Sequence, residues 1–344
     1  QPALDLPDPW PKGTDHKYIG SLYVAAAVVF LVAGVAMALL MRAQLATPEA
    51  EILGDRTYRQ LFTLHGVFSV FLFLLPMWLG LASAIVPLQV GAARLAFPRL
   101  HAMSFWLFLT GGVMVCIAPA LSDVFHGWAL SDPIPVKLGL PGQGPDFLLL
   151  GLVLVCIAAV VVVVNLIVTV LQLRPPGMTL RRIPVFSWSM MVSGAVLLFA
   201  LPLLVGAFGL LFVDRHYGTS IFSGFTGSRG GNPLLWPRLF WFAAYPMLWA
   251  LLIPALGAVS EIVANQWKDV EGLLALFEQY PEQERGRYVA CGGGAAIAVM
   301  QAARLLGAPH ARVLHYAHSG HVSGDHEAVV GYLAAAVGHF RDAD

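Results

Sequence analysis

Long apolar runs separated by short polar loops set the pattern of the first three-quarters of the chain. A membrane-crossing helix needs roughly 20 mostly apolar residues, and six runs meet that length: Tyr18 to Met41, Leu61 to Val90, Ala102 to Leu121, Phe147 to Leu171, Pro184 to Val213 and Arg238 to Val263. The pattern predicts six transmembrane helices. The first run is too long for a signal peptide and lacks a small-residue cleavage site. After Val263 the pattern changes, and eight charged residues fall between Lys268 and Tyr288. A domain boundary is expected there, with residues 1–263 as a membrane domain and 264–344 as a small tail. In the tail a short strand-like run ends at Cys291. The glycines Gly292 to Gly294 follow, then a helix-forming stretch from Ala295 to Leu306 closed by Gly307, a usual helix stop. Arg312 to Ala317 reads as a strand, and Val329 to Val337 as a strand or short helix. The expected fold is an all-α polytopic membrane protein of six transmembrane helices with a small C-terminal α/β segment.

Composition agrees, since 58% hydrophobic against 12% charged residues suits a lipid bilayer as solvent. A formal net charge of zero argues against a nucleic-acid partner. Charge does not orient the helices. Lys12, Lys17, Arg94, Arg99, Arg174, Arg181 and Arg182 lie on the N-terminal side, against Arg42, Arg56, Arg59, Lys137, Arg215, Arg229 and Arg238 opposite, seven against seven, which is a tie under the positive-inside rule. Cys116, Cys156 and Cys291 are scattered and define no disulfide framework.

Ionisable side chains inside a span are costly and mark function. His65, in Leu61-Phe62-Thr63-Leu64-His65-Gly66-Val67-Phe68, is the clear instance. A neutral imidazole there can serve as an axial haem ligand, with Gly66 leaving space for something bulky. It can equally be a histidine hydrogen-bonded to a neighbouring helix.

His65 lies in a longer series of motifs: Asp15-His16-Lys17-Tyr18-Ile19-Gly20-Ser21-Leu22-Tyr23, Arg42-Ala43-Gln44-Leu45, Ala96-Phe97-Pro98-Arg99, Met103-Ser104-Phe105-Trp106, Arg174-Pro175-Pro176-Gly177-Met178, Gly230-Gly231-Asn232-Pro233 and Leu239-Phe240-Trp241-Phe242. In order and spacing this series resembles subunit I of the haem-copper oxidases, the cytochrome c oxidase family, over about residues 15 to 263. The resemblance implies helices one to six of a twelve-helix subunit, an energy-transducing membrane such as a bacterial inner membrane, and an N-terminus on the cytoplasmic side. Its partners would be other respiratory oxidase subunits or cytochrome c. It further implies that His65 ligates a low-spin haem, that Arg42 lies against that haem, and that Trp128 sits near its propionates. The family draws the second axial ligand from helix ten. His101 lies at the opposite end of the membrane from His65, and His126 and His216, expected in loops on the His65 side, are poor substitutes.

The family's oxygen-reducing site does not carry over. Where its copper-binding motif on helix six stands, this sequence has Ala244-Tyr245-Pro246-Met247-Leu248-Trp249. Tyr245 takes the place of the copper-ligating histidine, Met247 that of a proton-delivering glutamate, and Trp249 that of a cross-linked tyrosine. Copper is not expected, because a phenol, a thioether and an indole do not replace imidazole there. Arg94 stands where the family has an aspartate at the mouth of a proton channel. Glu261 lies at the end of the sixth run, and no carboxylate is expected within the spans. These departures predict neither oxygen reduction nor proton pumping.

The tail resembles a second family, Memo, known in prokaryotes as AmmeMemoRadiSam system protein B. Val289-Ala290-Cys291-Gly292-Gly293-Gly294, Ala303-Arg304-Leu305-Leu306-Gly307-Ala308 and Leu314-His315-Tyr316-Ala317-His318-Ser319-Gly320-His321-Val322-Ser323-Gly324-Asp325 carry the likeness, over about residues 267 to 338. It implies a partial α/β domain in which Cys291 belongs to a metal site whose histidines lie in an earlier part of that family's domain. His315, His318, His321 and His326 read as ordinary polar positions rather than a metal cluster. Two alternatives follow: a membrane-anchored Memo-like metal-binding module, or a join of two gene fragments near Glu261 to Lys268 without intact activity.

Overall fold

The computed structural model describes residues 13–47, 51–130, 140–175, 177–217, 219–222, 231–267, 312–318 and 331–336. Seven α-helices make up six helical spans long and apolar enough to cross a membrane among these residues. They are α1 (His16–Gln44), α2 (Asp55–Val67) continuing through a π-helical stretch (Phe68–Leu74) into α3 (Leu75–Gln89), α4 (Pro98–Leu121), α5 (Gly144–Gln172), α6 (Val185–His216) and α7 (Leu235–Trp267). The second run is therefore one span that begins six residues earlier than its apolar stretch and changes winding in the middle.

Large apolar side chains lie on the outside as well as the inside. Val29, Val32 and Leu39 on α1 and Trp106 on α4 are exposed, as expected where lipid replaces water. With no hydrophobic drive between helices in lipid, close backbone approach and interhelical hydrogen bonds hold the bundle. A Cβ on Gly111 would meet the Gly151 carbonyl oxygen at 2.6 Å, which brings α4 against α5; one on Gly20 would meet that of Gly80 at 2.7 Å, which brings α1 against α3. Tyr23, buried on α1, donates its hydroxyl to Ser104 Oγ on α4 at 2.9 Å. Asn165 on α5 pairs with the backbone of Phe97 in both directions, at 2.9 and 3.0 Å.

Two helix ends differ from the sequence expectation. The fourth and fifth runs stop at Phe147 and Val213 because Asp146, Asp214 and Arg215 are charged, yet α5 starts at Gly144 and α6 continues to His216. Pairing makes this possible. The Arg215 side chain, 2% exposed, donates from Nε to Asp146 Oδ1 at 2.8 Å and from its two Nη atoms to the carbonyls of Leu140 and Gly142. Asp214 accepts from Thr219 Oγ1 and from the N–H groups of Ile221 and Phe222. His216 is consequently a helix residue rather than a loop residue, and its Nε2 lies 3.1 Å from Asp146 Oδ1. The expectation of no carboxylate within the spans is corrected at this edge, because Asp214 is buried and Asp146 largely so.

The chain divides into compact units of residues 1–257 and 258–344. In the second, β1 (Arg312–His318) pairs antiparallel with β2 (Gly331–Ala336), His318 opposite Gly331 and Arg312 opposite Ala336, with a register irregularity between Val313 and His315. The two strand expectations are thus met. The run to Cys291, the glycine triplet, the helix-forming stretch Ala295 to Leu306, His321 and His326 lie outside the described residues.

Candidate functional site

His65 lies in the last turn of α2, which places it beside the change of winding that begins at Phe68. A π-helical stretch is uncommon and tends to occur at functional positions. It alters the carbonyl pairing of the preceding turn, and Ser69 Oγ donates to the His65 carbonyl at 2.7 Å. The imidazole reaches α1, where Nδ1 lies 2.9 Å from the Gly34 carbonyl oxygen. A carbonyl only accepts, so Nδ1 carries the proton and Nε2 presents a lone pair. The interhelical hydrogen bond therefore coexists with a ring tautomer suited to ligation, and the two sequence readings of His65 are compatible.

Beside the ring lies a cavity of about 300 Å³, lined by Phe30, Leu31, Gly34 and Val35 from α1 and by His65, Ser69, Val70, Phe73 and Leu74 from the second span. Its wall is almost wholly apolar. Arg42 lies in the last turn of α1 and is exposed. Seven residues separate it from Val35, or two turns at about 1.5 Å rise per residue, so Arg42 continues the cavity-lining face of α1 toward the membrane surface.

Trp128 reaches the same span by another route. The backbone turns back over Gly127 to Leu130, closed by a hydrogen bond from the Leu130 N–H to the Gly127 carbonyl at 3.0 Å. Leu130 has φ of 52°, a left-handed conformation that costs a non-glycine residue about 1–2 kcal/mol. Burial of Leu130 and a hydrogen bond from Trp236 Nε1 to the Ala129 carbonyl at 3.0 Å hold it. Thr63 Oγ1 on α2 donates to the Phe125 carbonyl at 2.7 Å. The turn thereby lays the Trp128 side chain over Gly66, where an added Cβ would come within 2.5 Å of Trp128 Cβ. The bulky neighbour for which Gly66 leaves space is Trp128 itself. Phe240 and Trp241 on α7 pack edge-on against the same indole, each centroid 5.4 Å away.

The fold thus brings His65, the Trp128 turn and the α1 face carrying Arg42 around one part of the second span. It does not add His216, which is held by Asp146, nor His101, which is buried in α4. On α7, Tyr245 (59% exposed) and Trp249 (63% exposed) share an outward face, and Met247 is buried. Among the described residues no three His, Cys, Asp or Glu side chains form a metal-binding group. Cys291 lies outside the described residues. Gly34 and Ser69, which orient His65, were missed in the sequence. Ser69 follows His65 by four residues and could have been found by helical spacing, whereas Gly34 is on a different helix and left no signal.

Comparison with known proteins follows the same division. The family model described as "Cytochrome C and Quinol oxidase polypeptide I" matches residues 18–270, and that of "Memo-like protein" matches residues 269–336. Among curated relatives, a Streptomyces coelicolor protein named as a cytochrome c oxidase subunit 1-beta is 39% identical over 257 residues, covering 74% of this chain and 44% of the relative. The quinol oxidase subunit 1 of Bacillus subtilis is 37% identical over 257 residues, 74% of this chain and 39% of the relative. The heme-copper oxidase subunit I+III of Aeropyrum pernix is 38% identical over 259 residues, 74% and 31% respectively. A solved heme-copper terminal oxidase dimer shares the fold at a TM-score of 0.58 with 19% identity, over 73% of this chain and 40% of that one. The chain spans less than half the length of each relative named. Six spans, apolar exteriors and matches of this extent agree that the protein is integral to a membrane, and over residues 18–270 the chain belongs to the cytochrome c and quinol oxidase polypeptide I family.

Proposed function

We propose that this chain is an electron-transfer component of an energy-transducing membrane, which holds a low-spin haem through His65 and does not reduce oxygen by itself. The observation that carries the reading is the His65 ring, fixed through Nδ1 by the Gly34 carbonyl with Nε2 unpaired among the described residues, beside an apolar cavity. That tautomer and an adjoining apolar wall suit an axial imidazole and the body of a porphyrin. A haem bound there would supply one-electron redox chemistry. The protein's own part is to orient the imidazole through Gly34 and Ser69, to exclude water with Phe30, Phe73 and Leu74, and to offer the positive charge of Arg42 near the membrane surface. Trp128 would close the space at the loop end.

Oxygen chemistry is set aside because Tyr245, Met247 and Trp249 offer no imidazole at the position that the resemblance assigns to copper. Arg94, exposed between α3 and α4, would repel rather than attract a proton, which argues against pumping. Other oxidase subunits or cytochrome c are the proposed partners.

The test is a reduced-minus-oxidised visible spectrum with pyridine haemochromogen quantification on the purified chain and on His65→Ala. One haem per chain, lost in the variant, is the expected result. A haem signal that survives His65→Ala would refute ligation by this residue, and no haem in either protein would refute the cofactor. The match of the Memo-like family to residues 269–336 favours a second reading, a metal-binding tail containing Cys291. Metal content of the full chain beside Cys291→Ser tests it. Sequencing of independent genomic DNA across Glu261 to Lys268 separates a genuine two-family protein from a join of fragments.

A further inference from the structure

We propose that the connections from α3 to α4 and from α5 to α6 together form a binding surface for anionic phospholipid headgroups. Arg94 lies in the first connection and Arg99 in the first turn of α4; Arg174, Arg181 and Arg182 lie in the second. Residues 90–121 and 147–213 contain no aspartate or glutamate, so neither connection neutralises the other.

The two connections are tied to one another. The Ala96 N–H donates to Thr169 Oγ1 at 2.9 Å, and Phe97 pairs with Asn165. A Cβ on Gly91 would touch the Pro175 ring at 3.3 Å, and Ser187 Oγ donates to Gln89 Oε1 at 2.6 Å. The arginines therefore share one face. Arg94, Arg99, Arg181 and Arg182 are exposed, and none of the five has a carboxylate partner among the described residues. Arg174 is the most informative. Among the described residues its Nε and Nη1 have no acceptor, and only a long 3.5 Å contact joins Nη2 to the Leu171 carbonyl. Guanidinium N–H groups without an acceptor call for one, and the exposed forks of Arg181 and Arg182 nearby suit phosphate oxygens.

Position favours lipid over a protein partner. Around the arginines the spans expose Leu100, Met103, Trp106, Leu171, Val185 and Trp188, side chains that contact acyl chains. The half-exposed Trp188 donates Nε1 to the Leu180 carbonyl at 2.7 Å, which fixes the turn carrying Arg181 and Arg182 at the depth where amphipathic rings collect. The guanidinium groups consequently lie in the headgroup layer, within reach of lipid phosphate.

The full chain, purified in detergent, is titrated with phosphatidylglycerol or phosphatidylcholine, and bound lipid is counted by native mass spectrometry for the wild type, R174Q/R181Q/R182Q and R56Q. Phosphatidylglycerol should be retained over phosphatidylcholine by at least about fivefold, the scale of one basic side chain at an anionic surface. The triple variant should bring that ratio near one, and R56Q should leave it unchanged. Equal retention of the two lipids by the wild type, or a ratio unaffected by the triple substitution, overturns the proposal. Complete displacement by millimolar inorganic phosphate or by an acidic peptide also overturns it, in favour of a free-anion or protein site. If the triple variant loses its helical circular dichroism, R181Q and R182Q singly, both on the exposed turn, carry the same comparison.

Discussion

Among the described residues, only one end of the helical bundle holds arginines in pairs with carboxylates. At the end where α5 begins and α6 stops, Arg215 is buried against Asp146, and Arg56 pairs with Asp123. At the other end, Arg94, Arg99, Arg174, Arg181 and Arg182 have no acidic partner among the described residues. A count of Lys and Arg gives seven on each side and sees no difference. The difference is one of pairing: a guanidinium held by a buried carboxylate is costly to separate from it, and one without such a partner is open to groups outside the protein.

The largest effect expected is at the buried pair. Arg215→Ala leaves Asp146 with the His216 contact but without its guanidinium partner in a largely dehydrated position, and breaking such a pair typically costs about 3–5 kcal/mol. Thermal unfolding in detergent should show a large loss of stability, with Asp146→Ala comparably damaging. Loss of only a few tenths of a kcal/mol would mean that the pair is more hydrated than its burial indicates.

Gly66→Ala should come next. Its Cβ would press on the Trp128 side chain, and overpacking of this kind costs about 1–3 kcal/mol. Because the same contact places Trp128 over α2, the variant should also weaken or shift any haem spectrum that depends on His65. An unchanged melting temperature would show that the Gly127 to Leu130 turn yields readily.

Tyr23→Phe removes the interhelical hydrogen bond to Ser104 and keeps the ring. Such bonds within membranes average about 0.6 kcal/mol, so a small, measurable drop is expected by the same unfolding assay. Smallest of all should be Arg56→Ala. Its ion pair with Asp123 has side chains 66% and 45% exposed, and surface pairs contribute about 0–1 kcal/mol. A loss as large as that of Arg215→Ala would erase the distinction between paired and buried charge on which the comparison rests.

The candidate site divides in the same manner. His65 was legible because a histidine in an apolar run is conspicuous, Arg42 because it falls in a recognisable series of motifs, and Trp128 only through the family resemblance that those motifs carry. The proton position on the ring was not legible, since it depends on the Gly34 carbonyl of another helix. Nor was the role of Gly66 clear: the sequence indicates space beside it, and the fold fills that space with Trp128. Asp146 and Arg215 are 69 residues apart, and each alone reads as the end of a span.

The sequence by itself determined the solvent, the number of spans and the family, because burying about 20 apolar residues at a time is a local property that each run carries independently. Only the tertiary structure decided where the helices end, which tautomer His65 adopts, and which arginines meet a carboxylate among the described residues. Those depend on partners tens of residues away, and the free energy of a charge or a ring nitrogen is set by the group that meets it rather than by its neighbours along the chain.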